Sequence, residues 1–291
     1  MEARDIRRVG VVGAGLMGSG IVEVCARAGL DVTFVEGSDE LVGAGRGRVE
    51  RSVRTAVERG KLDAAAAETA LGRIDASTDL NALAGSDLVI EAATEDRDAK
   101  RTIFDTLGAI TRSEVVLASN TSSIPIGLLG EASGRPDRVI GMHFFNPPPV
   151  MALLELTPSD ATSEETYELV RAFGTDVLGK TTVRSLDEAG FIVNRLLIPY
   201  LFDAIRLFES GFASREDIDT AMRLGLAHPM GPLELSELIG LDTLLSIGEV
   251  LTDAFPGDPR YEAPALLRRL VGEGRLGRKS GRGFADEPGT A

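Results

Sequence analysis

The chain holds two histidines, His143 and His228, so the choice of a side chain that titrates near neutrality is narrow. His143 stands in Gly141-Met-His-Phe-Phe-Asn-Pro147, at the carboxyl end of a predicted strand from Arg138 to Met142. Ligands of open α/β sheets bind at that end of the strands. Glu155 follows 12 residues later, in the next predicted strand, Leu153 to Leu156. Two adjacent strands can therefore bring its carboxylate to the imidazole. A carboxylate on one ring nitrogen fixes the tautomer and stabilises the imidazolium that forms when the other nitrogen takes a proton. The pair reads as a general base with its partner. His228, in Ala-His-Pro-Met-Gly-Pro232, reads instead as shaping a turn or a domain contact. Two histidines and one cysteine argue against a protein-built metal site, and none is expected.

Further polar groups cluster near the same predicted edge. Ser119-Asn-Thr-Ser-Ser-Ile-Pro125 follows another strand and offers hydroxyls and an amide. Ser122 is the favoured hydroxyl, although spacing alone suits it equally to an N-cap or turn before a short helix at Pro125. No GxSxG elbow supports a serine nucleophile. In Gly190-Phe-Ile-Val-Asn-Arg195, Asn194 is polar among Phe191, Val193 and Leu196, and a ligand in a cleft between domains would give it a partner.

Near the N-terminus, Gly13, Gly15 and Gly18 form a GxGxxG loop directly after the apolar Val9, Val11 and Val12. The glycines permit a tight turn and a close approach to a pyrophosphate, while the helix opening with Leu16 and Met17 offers free N–H groups and the positive end of its dipole. Asp31-Val-Thr-Phe-Val-Glu36 supplies a second strand ending in an acid 18 residues after Gly18, close to the ~20 of a dinucleotide-binding unit. The Glu36 carboxylate can accept bonds from a ribose diol and would repel a 2′-phosphate, which favours NAD over NADP.

Stepping along the chain, predicted strands and helices alternate. A strand from Ile6 to Val12 is followed by a helix to Ala28, a strand from Asp31 to Val35 and a helical hairpin over about residues 38–71. The rhythm resumes with Asp87 to Glu91, a helix from Asp98 to Ile110, Val115 to Ala118, Arg138 to Met142, Leu153 to Leu156, and Gly179 to Arg184. This predicts an α/β Rossmann-type fold over residues 1–187, a doubly wound and mostly parallel sheet. Residues 188–291 read as a second, all-α domain, with a wide apolar stripe of Phe191, Leu196, Leu197, Leu201, Ile205 and Phe208. Ser214 to Asp217 reads as a helix start. Such a surplus of apolar faces on a small domain predicts burial between subunits. The tail after Phe284 is expected to fray.

At 291 residues, 43% hydrophobic and 26% charged, the chain suits two packed domains. A formal net charge of −14 argues against nucleic acid or an anionic membrane as partner. No apolar stretch approaches a membrane span, and MEARDIRR lacks the apolar core of a signal peptide, so a cytoplasmic protein is expected. Cys25, the single cysteine, reads as a small buried hydrophobe. Against this acidic background, Arg46, Arg48, Arg51, Arg54, Arg59 and Lys61 face only Glu50 and Glu58. The stretch reads as one helix with Arg48, Ser52 and Arg59 on one face; it serves either as a phosphate cradle or as a solvated surface.

Together these segments, with Pro229-Met-Gly-Pro232 and Leu276-Gly-Arg-Lys-Ser-Gly281, resemble the short-chain L-3-hydroxyacyl-CoA dehydrogenases, especially their bacterial 3-hydroxybutyryl-CoA members. The resemblance spans nearly the whole chain. It implies NAD-dependent oxidation of a short (S)-3-hydroxyacyl-CoA, with His143 as base, Glu155 as its partner, and Ser122 and Asn194 holding substrate oxygens. It places Glu95 and Lys100 near the nicotinamide and Asn120 at the border of the site. The helix around Ser52 and Arg54, with Arg59 and Lys61, becomes the coenzyme A grip, and a homodimer through the helical domain is implied. Three departures stand out: Gly283-Phe-Ala-Asp for the usual Gly-Phe-Tyr, Arg59 where some members carry lysine, and Leu186-Asp-Glu-Ala189 for a Pro-Gly approach to the second domain. Alternatives are a dehydrogenase of free hydroxy acids or of a larger acyl-CoA such as 3-hydroxyadipyl-CoA, and a non-catalytic protein like the lens crystallins of this superfamily.

Overall fold

Val9, Val11 and Val12 are all buried in the first strand, β1 (Arg8–Val12), as a strand covered by helices on both faces must be. In the computed structural model, which describes residues 2–284, β1 lies inside a sheet of eight strands. It is followed by α1 (Leu16–Arg27), β2 (Asp31–Val35), α2 (Asp39–Glu58), α3 (Ala64–Leu71) and β3 (Ile74–Ser77). The second half of the sheet is built from β4 (Leu88–Glu91), α4 (Arg97–Ile110), β5 (Val116–Ser119), α5 (Ile126–Ser133) and β6 (Val139–Phe144). β7 (Leu153–Pro158), α6 (Glu164–Ala172) and β8 (Thr181–Arg184) complete it.

The strand order is β3-β2-β1-β4-β5-β6-β7-β8, and every neighbouring pair is parallel except β6 with β7. This is the doubly wound, Rossmann-type sheet that the alternating pattern predicts. The order reverses between β1 and β4, and at such a switch point the carboxyl ends of the strands part to leave a crevice. Two elements escaped the sequence pattern. β3 buries only Ile74 of its four residues, the mark of an edge strand, and α6 is a single amphipathic segment capped by Ser163. β6 also runs two residues beyond the predicted Met142, so His143 lies within the ladder.

Local signals explain the helices that frame the crevice. Ser38 caps α2, its Oγ accepting from Leu41 N, with Asp39 and Glu40 in the first turn; Asp96 caps α4 by accepting from Ala99 N. A Cβ on Gly45 would lie 2.7 Å from the Cβ of Ala14, so α2 passes against the glycine loop. The predicted single helix through Lys61 is corrected. α2 ends at Glu58, Arg59 is its C-cap, and Gly60 turns the chain at φ +64, leaving Lys61 off the helix.

The chain divides into two compact units, the first ending at Glu188 and the second starting at Ala189. The second is helical: α7 (Val193–Glu209), α8 (Arg215–Gly225), α9 (Pro232–Ile239), α10 (Leu241–Ala254) and α11 (Ala265–Gly272). Leu201, Phe202, Ile205, Leu244, Leu251 and Leu267 form its core, each worth about 1.5–3 kcal/mol of transfer free energy when fully buried. Most of the predicted apolar stripe is thus spent inside this unit. Leu196 is the exception at 71% exposed, because it precedes Leu201 by five residues and lies about 140° around the helix from it. Ser214 caps α8 as its sequence predicts. The expected frayed tail, and Ala285 and Asp286 of the departing motif, lie outside the described residues.

Candidate active site

The glycine loop shows why each of its glycines is needed. Gly13 has φ +88, and a Cβ there would lie 2.8 Å from the Ala92 carbonyl oxygen. A Cβ on Gly18 would come within 1.9 Å of the Gly13 oxygen, so α1 packs directly on the strand. At Gly15 a Cβ would meet nothing within 4 Å, and no side chain caps α1. Open space beside uncapped N–H groups at a helix N-terminus suits a pyrophosphate. Glu36 stands at the end of β2, where its Oε1 accepts from Ala14 N at 2.6 Å. The acid therefore braces the loop through one of its oxygens. The residues present fit a dinucleotide.

His143 and Glu155 are direct partners across the antiparallel β6/β7 pair. His143 Nδ1 lies 2.7 Å from Glu155 Oε2, with the histidine 7% and the glutamate 0% exposed. A charge-assisted contact this short, shielded from water, holds the ring in one orientation. The Phe145 ring packs 4.7 Å from the imidazole. Asn120, at the end of β5, accepts at its Oδ1 from Phe144 N, while its own N–H pairs with the Glu91 carbonyl. It stitches the end of β5 to the strand carrying His143.

Lys100 is buried at 1% exposure, and its Nζ lies 2.5 Å from Glu91 Oε1 and 3.5 Å from Glu95 Oε2. Glu91, fully buried at the end of β4, accepts also from Ala93 N at 2.7 Å and from Ser119 Oγ at 2.6 Å. Glu95 Oε1 receives Thr121 Oγ1, the Ser122 N–H at 3.0 Å and Ser123 Oγ. The result is a closed ring of polar contacts through Glu91, Lys100, Glu95, Thr121 and Ser119, with Ser122 tied to it by its backbone.

Ser122 does not cap α5. The first N–H groups of that helix, Ile126 and Gly127, donate to the Asp187 carboxylate at 2.7 and 2.9 Å. Burial pushes the Asp187 carboxyl above its usual range, against the pull of those two donors, with Asp160 adding to the rise. Spacing alone could not find this cap, because Asp187 lies about 60 residues away in sequence.

The basic cluster divides in two. Arg46 donates to the Ile74 carbonyl and Arg48 to that of Ala14, 3.2 Å away, so both serve the fold. Arg51, Ser52, Arg54, Arg59 and Lys61 are exposed. Asn194 belongs to the helical unit, buried in the first turn of α7. His228 belongs there too, its Nδ1 3.1 Å from Tyr200 Oη beside Ala227, whose φ is +56. Burial raises the Cys25 thiol to about 12, which leaves it an inert core residue. Among the described residues no group of His, Cys, Asp and Glu could hold a metal ion, and no helix is long and apolar enough to cross a membrane.

Glu91 and Thr121 join the polar ring, and Asp187 caps α5, without having been singled out in the sequence. Glu91 was within reach, since it ends a predicted strand just as His143 does. Thr121 and Asp187 stand in segments that the sequence marks, but their partners Glu95 and α5 lie too far away in the chain to give a local signal.

Residues 8–188 match the family model of the 3-hydroxyacyl-CoA dehydrogenase NAD-binding domain, and residues 190–287 match that of the 3-hydroxyacyl-CoA dehydrogenase C-terminal domain. The chain is 51% identical over 280 residues to a 3-hydroxybutyryl-CoA dehydrogenase of Mycobacterium tuberculosis, covering 96% of this chain and 98% of that one. The crystal structure of (S)-3-hydroxybutyryl-CoA dehydrogenase PaaH1 from Ralstonia eutropha superposes with a TM-score of 0.89 at 46% identity, over 96% of this chain and 98% of that one. The crystal structure of FadB2 from M. tuberculosis gives 0.94 at 51% identity, with the same coverage.

Proposed function

Because the chain belongs to the 3-hydroxyacyl-CoA dehydrogenase family and is an NAD-dependent oxidoreductase, we propose that His143 is its general base, acting on a short (S)-3-hydroxyacyl-CoA such as 3-hydroxybutyryl-CoA. The observation that carries this reading is the buried His143–Glu155 contact of 2.7 Å between the carboxyl end of β6 and the amino-terminal half of β7. His143 takes the proton of the 3-hydroxyl as the C3–O bond becomes a carbonyl. The cofactor, when bound, accepts the hydride that leaves C3. Glu155 holds the ring by Nδ1 and balances the imidazolium, and the proton returns by the same route in reduction. Base catalysis of this kind contributes about 10² to 10⁴ in rate.

Ser122 and Asn194 are assigned to the substrate oxygens. Ser122 is supported by the Glu95 contact that sets its backbone; Asn194 rests on the family resemblance. Gly13, Gly15, Leu16, Met17, Gly18 and Glu36 hold the dinucleotide, with Asn120, Glu95 and Lys100 around its nicotinamide end. The exposed Ser52, Arg54, Arg59 and Lys61 are the groups we assign to coenzyme A phosphates. We further assign a homodimer through the helical unit, where Phe212, Leu224 and Leu226 are 78%, 81% and 62% exposed.

The test is a ladder of 3-oxoacyl-CoA chain lengths assayed for initial rates with NADH and with NADPH. The expected result is a kcat/KM maximum at acetoacetyl-CoA with NADH. A maximum at a longer or dicarboxylic acyl group would overturn the substrate assignment.

A further inference from the structure

We infer that Glu91, Lys100 and Glu95 act as a charge triad that biases the protein toward the oxidised form of its nicotinamide, with Glu91 the residue that sets the bias. The inference rests on the assignment of Glu95 and Lys100 to the nicotinamide end of the cofactor. Its basis is a formal charge count. Glu91 and Glu95 contribute one negative charge each and Lys100 one positive, within contacts of 2.5 and 3.5 Å. The cluster therefore keeps one uncompensated negative charge.

Where that charge sits is decided by burial. Glu91 and Lys100 are sealed at 0% and 1% side-chain exposure, whereas the Glu95 side chain is 39% exposed. Glu91 neutralises the ammonium from behind, through the shorter contact. The carboxylate that presents its charge outward is Glu95. An oxidised nicotinamide ring carries a positive charge and a reduced one does not, so an outward negative charge favours the oxidised ring. Without Glu91, Lys100 would cancel Glu95 and the bias would vanish. Glu91 is a positioning residue in this scheme. It acts through Lys100, and is itself held in place by the bonds it accepts from Ala93 N and Ser119 Oγ.

The test compares dissociation constants of NAD+, NADH and ADP-ribose, read by calorimetry, for the wild type and four variants. Glu91→Gln should raise the ratio Kd(NAD+)/Kd(NADH) by roughly 5- to 10-fold, the effect of one charge at a partly screened distance. Lys100→Met should lower the ratio, and the Glu91→Gln/Lys100→Met double variant should restore it, because the net charge returns to −1. Packing damage would move both single variants the same way. Glu95→Gln, at a side chain 39% exposed, where the amide can still accept through its oxygen, must shift the ratio in the direction of Glu91→Gln, which keeps the test decisive if the buried variants are unstable. Ratios that stay put, or that move together in Glu91→Gln and Lys100→Met, overturn the inference while NADH and ADP-ribose still bind. A wild type that binds neither of them overturns the cofactor assignment and this inference with it.

Discussion

Replacing Glu155 with glutamine isolates the electrostatic part of the proposed base. The amide is nearly isosteric with the carboxylate, so it can still accept a bond from His143 Nδ1 across the β6/β7 pair while its charge is gone. The loss can be sized from geometry. With imidazolium and carboxylate charge centres about 4.5 Å apart and an effective dielectric of about 20, their interaction is about 4 kcal/mol. That energy is absent when the ring is neutral and present when it has taken the proton, so it stabilises the charged state alone. A barrier raised by about 4 kcal/mol slows turnover by on the order of 10²- to 10³-fold. Stopped-flow or steady-state oxidation of NADH with acetoacetyl-CoA measures it, with calorimetric NADH affinity as the control, which should stay at the wild-type value. His143→Gln should cost at least as much. The double variant should be no worse than the His143 single variant, because the two residues act as a unit. A Glu155→Gln enzyme within about threefold of wild-type kcat, or losses that multiply in the double variant, would refute the pairing as the source of catalysis.

Three other outcomes follow from the same contacts. Asp187→Ala removes the acceptor of the Ile126 and Gly127 N–H groups and should cost about 1–2 kcal/mol, seen as a lower urea midpoint with the slope unchanged; an unmoved midpoint would show that α5 does not need this cap. Burial pushes the Asp87 carboxyl up, but donation from the Arg7 and Arg8 N–H groups, with Arg8 and Arg112 alongside, outweighs this and holds it below its usual value. A group lowered on folding stabilises the protein above its unfolded pKa of about 4 and loses that contribution as the pH falls through its folded value. Asp87→Asn should thus be less stable than wild type at neutral pH in urea titrations, with the gap closing below about pH 4, and a constant gap would contradict the reasoning. Arg54→Ala combined with Arg59→Ala should raise KM for acetoacetyl-CoA by about tenfold at unchanged kcat, as loss of uniform binding does. The same variant should be indifferent toward an acetoacetyl-pantetheine thioester that lacks the nucleotide phosphates. An equal loss with both substrates would move the coenzyme A grip elsewhere.

Sequence and structure divide the protein along a physical line. Most of what is encoded within one turn or one strand was legible: the glycine spacing of Gly13, Gly15 and Gly18, the acid at Glu36, the short apolar runs that build the sheet and the period-3.6 patterns of the helical unit, the cap at Ser214, and the place of Cys25 in the core. His143 and Glu155 belong to this group, since two neighbouring strands twelve residues apart have few ways to pair. Contacts that close over long loops were not legible, because the chain between their partners carries no periodicity that reports them. The family resemblance puts Lys100 near the nicotinamide but says nothing of its burial against Glu91, and the choice for Arg48 between phosphate cradle and solvated surface gives way to a bond to the Ala14 carbonyl once α2 lies there. Asp187 reads as linker until it caps α5. Local propensity and burial period thus determined most of the scaffold and the pairing of His143 with Glu155. The buried charges were decided only by tertiary packing, since what a charged side chain does depends on which partner reaches it once water has been excluded.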